Sequence, residues 1–472
     1  MNRGPSPSAA GFLETVVVWH LAVFMVGAAW AFGGNADWVR TPISVWGSMG
    51  LVLTVLAASL PGRGGVARGA LHWMWPILLL NGLVLASCMT PGFKIVAAGS
   101  SPLMVPLAQP WWRPSAAHAD LALRALWLFD GIYFSCLNVA LTVTRRRVLR
   151  FLLMVAVVNA TALSIFGTVQ KLVGSTGIYF NSVRTPQPLF FASFVYDNHW
   201  GAFAVLSIGA CVGLGIRYAR GTERQGFFHG PAAAIMVATL LVGLSVPFSG
   251  SRACTLLVLA IGAAAVAKGV PALSRALHMS GVTPLASFLG MAAAAVVAGA
   301  AVWLVAGDVI HSRAERTKEQ LAAMWANGGI GSRGELYRDT WRMARDRPAF
   351  GWGMGSYPSV FRIYNTQISR IDRIPVVYHD AHSDWLQSAA ELGLAGTLLL
   401  GLCAALPLVS VRSRRLSAIP FFLLAGCALV ALYAWIEFPF GNVSVVLLWW
   451  FCFFVAIQYL RLSAGPAAPD ES

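Results

Sequence analysis

About twelve times along this chain an apolar run of roughly 18 to 22 residues recurs, the length at which an α-helix crosses the hydrocarbon core of a bilayer. Nothing else in the sequence limits the fold so strongly. In lipid each backbone amide must be satisfied within its own segment, so runs of this length read as helices. They fall near residues 12–32, 43–60, 71–90, 124–143, 148–169, 191–216, 231–248, 253–270, 284–306, 393–411, 418–437 and 443–460. The expected fold is therefore an all-α polytopic membrane protein with about twelve transmembrane helices. Composition agrees, because only 11% of the 472 residues are charged and 57% are hydrophobic, whereas a soluble domain carries about 25% charged residues. The first run lacks a small-residue cleavage site and reads as a retained helix rather than a signal peptide.

The formal charge of +15 does not point to nucleic acid, because the basic residues sit in short loops at every second turn of the chain. One set holds Arg63 and Arg68, Arg145 to Arg147, Arg217, Arg220 and Arg224, Lys268 and Arg275, and Arg412, Arg414 and Arg415, with Arg3 and Arg461 near the two ends. That alternation is an orientation signal, and it places both ends in the cytoplasm. The opposite, external face carries loops 91–123, 171–190 and 307–392. The last holds eleven Arg/Lys and ten Asp/Glu, and loops longer than about 60 residues escape the charge rule. The chain divides accordingly into spans one to five (1–190), spans six to nine (191–306), a large external loop (307–392) and spans ten to twelve with a tail (393–472). Seven cysteines lie singly, mostly inside apolar runs, which gives neither a metal spacing nor a disulfide framework.

Polar chemistry gathers on the loop face. In Phe248 to Ala260, FSGSRACTLLVLA, Arg252 stands at the mouth of an apolar helix. It either snorkels or waits for an anion that suits its planar fork. In GSRGELYRDTWRMARDRPAFGWGMGSY, residues 331–357, Ser332 and Glu335 have capping-box spacing and Pro348 should end the helix they begin. Arg333, Tyr337, Trp341 and Ala344 share one face of that helix, and Arg338 lies on another. Glycines 351, 353 and 355 follow no strand and read as a turn rather than a phosphate cradle. A further helix should start near Ser383, leaving His382 at its mouth, where an imidazole suits general-base work near neutral pH. A capping or structural role for that histidine stays open. His379, Asp380 and Asp384 beside it make a poor metal set, because ligands on one short turn rarely converge. In FVYDNHWGAFAVL, Asn198 and His199 enter a span, as substrate contacts or as polar glue between helices. Trp111 and Trp112, in VPLAQPWWRP, suit headgroup depth.

Taken in order, YDNHWGAFA, SGSR, SRGELYRDTW, DRPAFGWGMGSY and AHSDWLQSAAELGLAG resemble the O-antigen ligase/polymerase family of bacterial membrane glycosyltransferases, over roughly residues 190–460. The resemblance implies a GT-C-like helical enzyme with its large helical loop between spans nine and ten. It implies transfer of a glycan from undecaprenyl pyrophosphate to an acceptor hydroxyl at the periplasmic face, with no cofactor, metal or nucleotide. His382 matches the family's histidine, Arg252 its Ser-Arg, and Arg333 the arginine opening the loop helix. The family usually has Asn after the histidine, where this chain has Ser383.

The residue chemistry fits that expectation. Fixed cations, Arg252 and Arg333 with Arg338 third, would hold the charge growing on a pyrophosphate leaving group. His382 would take the acceptor's proton, and Asn198, His199, Tyr337 and Trp341 would line the cavity. Expected partners are the lipid-linked donor, a lipid A core or growing glycan as acceptor, and membrane lipids, with no nucleic acid. Polymerisation of repeat units and transfer to protein are alternatives within the family. A transporter of lipid-linked glycan is an alternative outside it, disfavoured because no internal repeat is found and the polar residues cluster on one face.

Overall fold

The computed structural model describes residues 9–59, 66–98, 101–107, 109–110, 112–185, 189–220, 230–279, five positions between 283 and 290, 332–368 and 375–464. Ten of its helices are long and apolar enough to cross a membrane. They include α1 (Ala9–Trp30), α2 (Asp37–Ser59), α5 (Ala119–Thr142), α6 (Arg146–Leu172), α7 (Asp197–Arg220), α8 (Pro231–Ser249), α9 (Arg252–Met279), α12 (Asp384–Ser410) and α14 (Val443–Arg461). The remaining one joins the short α3 (Val66–Leu71) to α4 (Trp75–Cys88), the apolar stretch running Gly69–Cys88. A shorter apolar helix, α13 (Ala418–Tyr433), lies between α12 and α14. All but one of the expected spans are thus present, and the expected ninth, 284–306, lies almost wholly outside the described residues.

The bundle is assembled by small residues and buried polar pairs, as expected where lipid gives helices no hydrophobic reason to associate. On α2 and α5, Gly47 faces Gly131 so closely that a Cβ on Gly47 would come within 2.8 Å of the other backbone. Gly50 packs on Ser135 in the same way. Around this contact His20 bonds Ser135 Oγ at 2.9 Å and Thr54 donates to Asn138 Oδ1 at 3.0 Å. Helices α7 and α14 are buried along most of their length, α7 packing against α8, α9 and α13 and α14 against α5 and α13.

Two elements depart from the all-helical expectation. A two-stranded antiparallel ribbon, β1 (Phe93–Ala98) and β2 (Ser101–Pro106), folds out of the loop after α4. Its sequence, with Ile95 and Val96 in one strand and Val105 in the other, is too short to satisfy itself as a helix and pairs instead. The second departure is a break in α12 at Gly393, which takes φ 63° and ψ −172°, a conformation essentially reserved for glycine.

That break explains the glycine-rich turn. Helices α10 (Ser332–Asp346) and α11 (Tyr357–Tyr364) flank it, α10 beginning at Ser332 and ending just before Pro348 as its sequence predicts. Backbone groups freed at the break pair with the turn: Leu394 and Ala395 N–H donate to Pro348 and Ala349 carbonyls at 2.8 and 3.0 Å. In return Trp352 and Gly353 N–H donate to the Ala390 and Glu391 carbonyls at 3.0 and 2.8 Å. Contact is so close that a Cβ on Gly393 would lie 2.4 Å from Phe350 N. The glycines clasp a helix rather than cradle an anion. Around the clasp, Phe93, Leu336, Met343, Trp352, Tyr357 and Phe361 form a second apolar core, separate from that of the bundle.

Candidate active site

The site lies where α7, α10, α12 and the α13–α14 connection meet. Ser383 caps α12, its side chain accepting from Leu386 N at 3.4 Å, so the position where the family usually has Asn works here as a helix cap. Asp384, the first helical residue, accepts from Phe440 N at 2.8 Å and so ties the start of α12 to the α13–α14 connection. One residue before the cap, His382 takes a left-handed backbone with φ 49°, uncommon for a non-glycine residue. Tyr337, on α10, holds it there by donating its hydroxyl to the His382 carbonyl at 2.9 Å.

The organising residue is one the sequence reading did not name. Glu437, buried between α13 and α14, receives Arg333 Nη2 in an ion pair through Oε1. The same oxygen accepts from Asn198 Nδ2 at 3.2 Å, and Oε2 lies 3.3 Å from His382 Nδ1. Burial works to raise the Glu437 carboxyl pKa, but the bond from His382 and the Arg333 charge outweigh it and hold the group below its ordinary value. Burial likewise works to lower that of Arg333, and Glu437 overrides it, leaving the guanidinium above its ordinary value. An ionised carboxylate only accepts, so Nδ1 of His382 is the donor and carries the proton. In a neutral imidazole so held, Nε2 is the lone-pair nitrogen, the arrangement a base requires.

The remaining expected residues are placed unequally. Arg333 also donates Nη1 to the Ile436 carbonyl at 3.1 Å, which fixes its fork. Arg252 opens α9 one residue after Ser251, whose hydroxyl donates to Asn198 Oδ1 at 2.6 Å. A relay of Ser251, Asn198 and Glu437 thus links its helix to the histidine. His199 is buried against the Phe438 carbonyl at 3.2 Å, and its ring stands edge-on to Phe438, as does that of His382. Arg338 is exposed on α10 and Trp341 is 54% exposed, so both stand outside this cluster. Glu391 accepts from Gly355 and Tyr357 N–H, both at 2.9 Å, and serves the clasp.

Residues 237–401 match the family model described as O-antigen ligase. Over that stretch the chain is similar to O-antigen ligases. This supports the O-antigen ligase/polymerase family and ties the chain to lipid-linked glycan transfer in surface-polysaccharide synthesis. No curated protein matches the chain. The matched stretch runs from within α8 to within α12 and so contains Arg252, Arg333 and His382. Asn198 and Glu437, which link Ser251, Arg333 and His382, lie on either side of it. Glu437 escaped notice because it closes an apolar run and resembles a span boundary. Its signal was weak but real: an acid at the end of a membrane helix demands a partner.

Proposed function

We propose that the protein transfers a glycan from an undecaprenyl-pyrophosphate donor to an acceptor hydroxyl at the periplasmic face of the bacterial inner membrane, as a ligase. The observation that carries this reading is the convergence of Arg333 and His382 on one buried carboxylate, within reach of the helix that Arg252 opens. Arg333 and Arg252 bind the pyrophosphate and stabilise the charge that grows on it, as fixed cations do best where charge develops. The acceptor hydroxyl gives its proton to His382 Nε2 while its oxygen bonds to the anomeric carbon. The bond from that carbon to the phosphate oxygen breaks, and its electron pair leaves with undecaprenyl pyrophosphate. Direct attack inverts the anomeric centre. Glu437 stabilises the imidazolium that results, so no step asks for a metal. Asn198, His199 and Tyr337 shape the polar lip.

The test is transfer in vitro from an undecaprenyl-pyrophosphate glycan, with lipid A core, a growing glycan and a peptide offered as acceptors in the presence of EDTA. His382→Ala, Arg252→Ala and Arg333→Ala are compared with the parent protein at matched folded levels. Loss of transfer in all three supports the site, and the acceptor consumed identifies the reaction. Normal transfer by His382→Ala would remove the histidine from the chemistry. Movement of donor across vesicles without transfer would replace the enzyme by a transporter.

A further inference from the structure

Glu437 has two clients with opposite needs. Its Oε1 neutralises Arg333, the cation meant for pyrophosphate, and its Oε2 holds His382, the base. We propose that Glu437 couples donor binding to base activation: pyrophosphate takes Arg333 from Glu437, and the carboxylate's charge then falls on His382. The inference rests on the reading of His382 as base and Arg333 as pyrophosphate ligand.

Geometry supports the exchange in three ways. First, Arg333 is bonded to the carboxylate through one terminal nitrogen and to the Ile436 carbonyl through the other. Its side chain stays 42% exposed, so a phosphate can reach the guanidinium without a change in fold. Second, the carboxylate cannot follow the arginine toward the phosphate. Asn198 Nδ2 holds Oε1, and the Ser251 hydroxyl, donating to Asn198 Oδ1, orients that amide so its nitrogen faces Glu437. Third, the two clients use different oxygens of one group, so weakening one contact leaves the other in place while the shared charge redistributes. A carboxylate relieved of its arginine stabilises an adjacent imidazolium more strongly. Proton abstraction from the acceptor is thereby favoured once the donor is seated, which makes the donor the first substrate to bind.

A residue that merely built the pocket would support binding and turnover together. A shared carboxylate must instead oppose binding and support turnover. The experiment uses the full chain in nanodiscs, measuring binding of undecaprenyl pyrophosphate, with inorganic pyrophosphate as headgroup probe, alongside the steady-state kinetics of transfer. For Glu437→Gln the expected result is donor binding several-fold tighter than in the parent, with kcat at least about a hundredfold lower. Glu437→Asp, which keeps the charge, should bring both values back toward the parent. In an Arg333→Ala background the gain in donor affinity from Glu437→Gln should disappear. Unchanged or weakened donor binding in Glu437→Gln, or a gain that persists without Arg333, would overturn the coupling. Normal transfer by His382→Ala would instead sink the base assignment, while the binding arm would still report the competition for Arg333.

Discussion

The two ends of the helical bundle both use arginines, and they use them for different purposes. At the end where α1, α6 and α9's neighbour α13 begin and α14 finishes, cations meet carbonyls, ring faces and a buried acid. Arg461 donates to the Ala140 carbonyl at 3.1 Å and lies over the Trp73 ring at 4.9 Å. Lys268 lies 3.8 Å above the Phe421 ring, and Arg145 pairs with Glu14 at 3.3 Å while its side chain is 70% exposed. At the other end Arg333 meets a carboxylate that is itself buried and shared with a histidine and an asparagine. The first kind of arginine fastens a helix end to a membrane surface, where water and neighbouring carbonyls make its position undemanding. The second kind is held in one orientation by groups that cannot relax into water, and such preorganisation is what transition-state charge requires. Loop charge is therefore a poor guide to site arginines. Glu14 is as buried as Glu437, so burial of the counter-charge does not separate the two ends; the histidine on the second oxygen of Glu437 does.

The comparison breaks most visibly in catalysis. Arg333→Ala should lower transfer by about 10²- to 10³-fold, and His382→Ala by about 10²- to 10⁴-fold, while Arg145→Ala leaves the rate unchanged. Rates of the three variants at equal folded protein decide it, and equal losses at both ends would erase the distinction.

A smaller effect is expected at the clasp that carries the site end. Gly393→Ala forces a side chain into glycine-only backbone and onto Phe350, which should cost about 1–3 kcal/mol from conformation alone. A lower thermal midpoint measured by intrinsic fluorescence would show it. An unchanged midpoint would mean that the break in α12 is not held by the 348–353 turn.

Acidification sharpens the contrast further. Because the folded Glu437 carboxyl lies below its ordinary value of 4.5, its contribution to stability is complete above that value. It is lost as the pH falls through the lower folded value. The parent protein should therefore lose thermal stability relative to Glu437→Gln as the pH is lowered from about 5 to about 3. A difference that stayed constant across that range would mean the carboxylate is not held ionised by its partners.

The smallest effect belongs to the other end, where Glu14→Gln removes the charge paired with an exposed arginine. Gln keeps an acceptor for Thr144 and Arg145, so the thermal midpoint should move little and transfer not at all. Salt should weaken even that difference.

Much of this molecule was legible from residue order alone, because its determinants are local. Apolar run length gave the spans, Ser332 and Pro348 gave the bounds of α10, and Ser383 gave the start of α12. The strands 93–98 and 101–106 were missed because their cue is short and lies inside a segment read only as the loop 91–123. The convergence was not legible at all. Glu437 lies 55 residues from His382, 104 from Arg333 and 239 from Asn198, and periodicity reports which face of a helix is buried, not which polar group another helix sets against it. The residue types that carry charge and lone pairs were determined by sequence, and their pairing was decided by the tertiary structure. Only the packing of α7, α10, α12 and the α13–α14 connection excludes water from the carboxylate and leaves its charge to be shared between an arginine and a histidine.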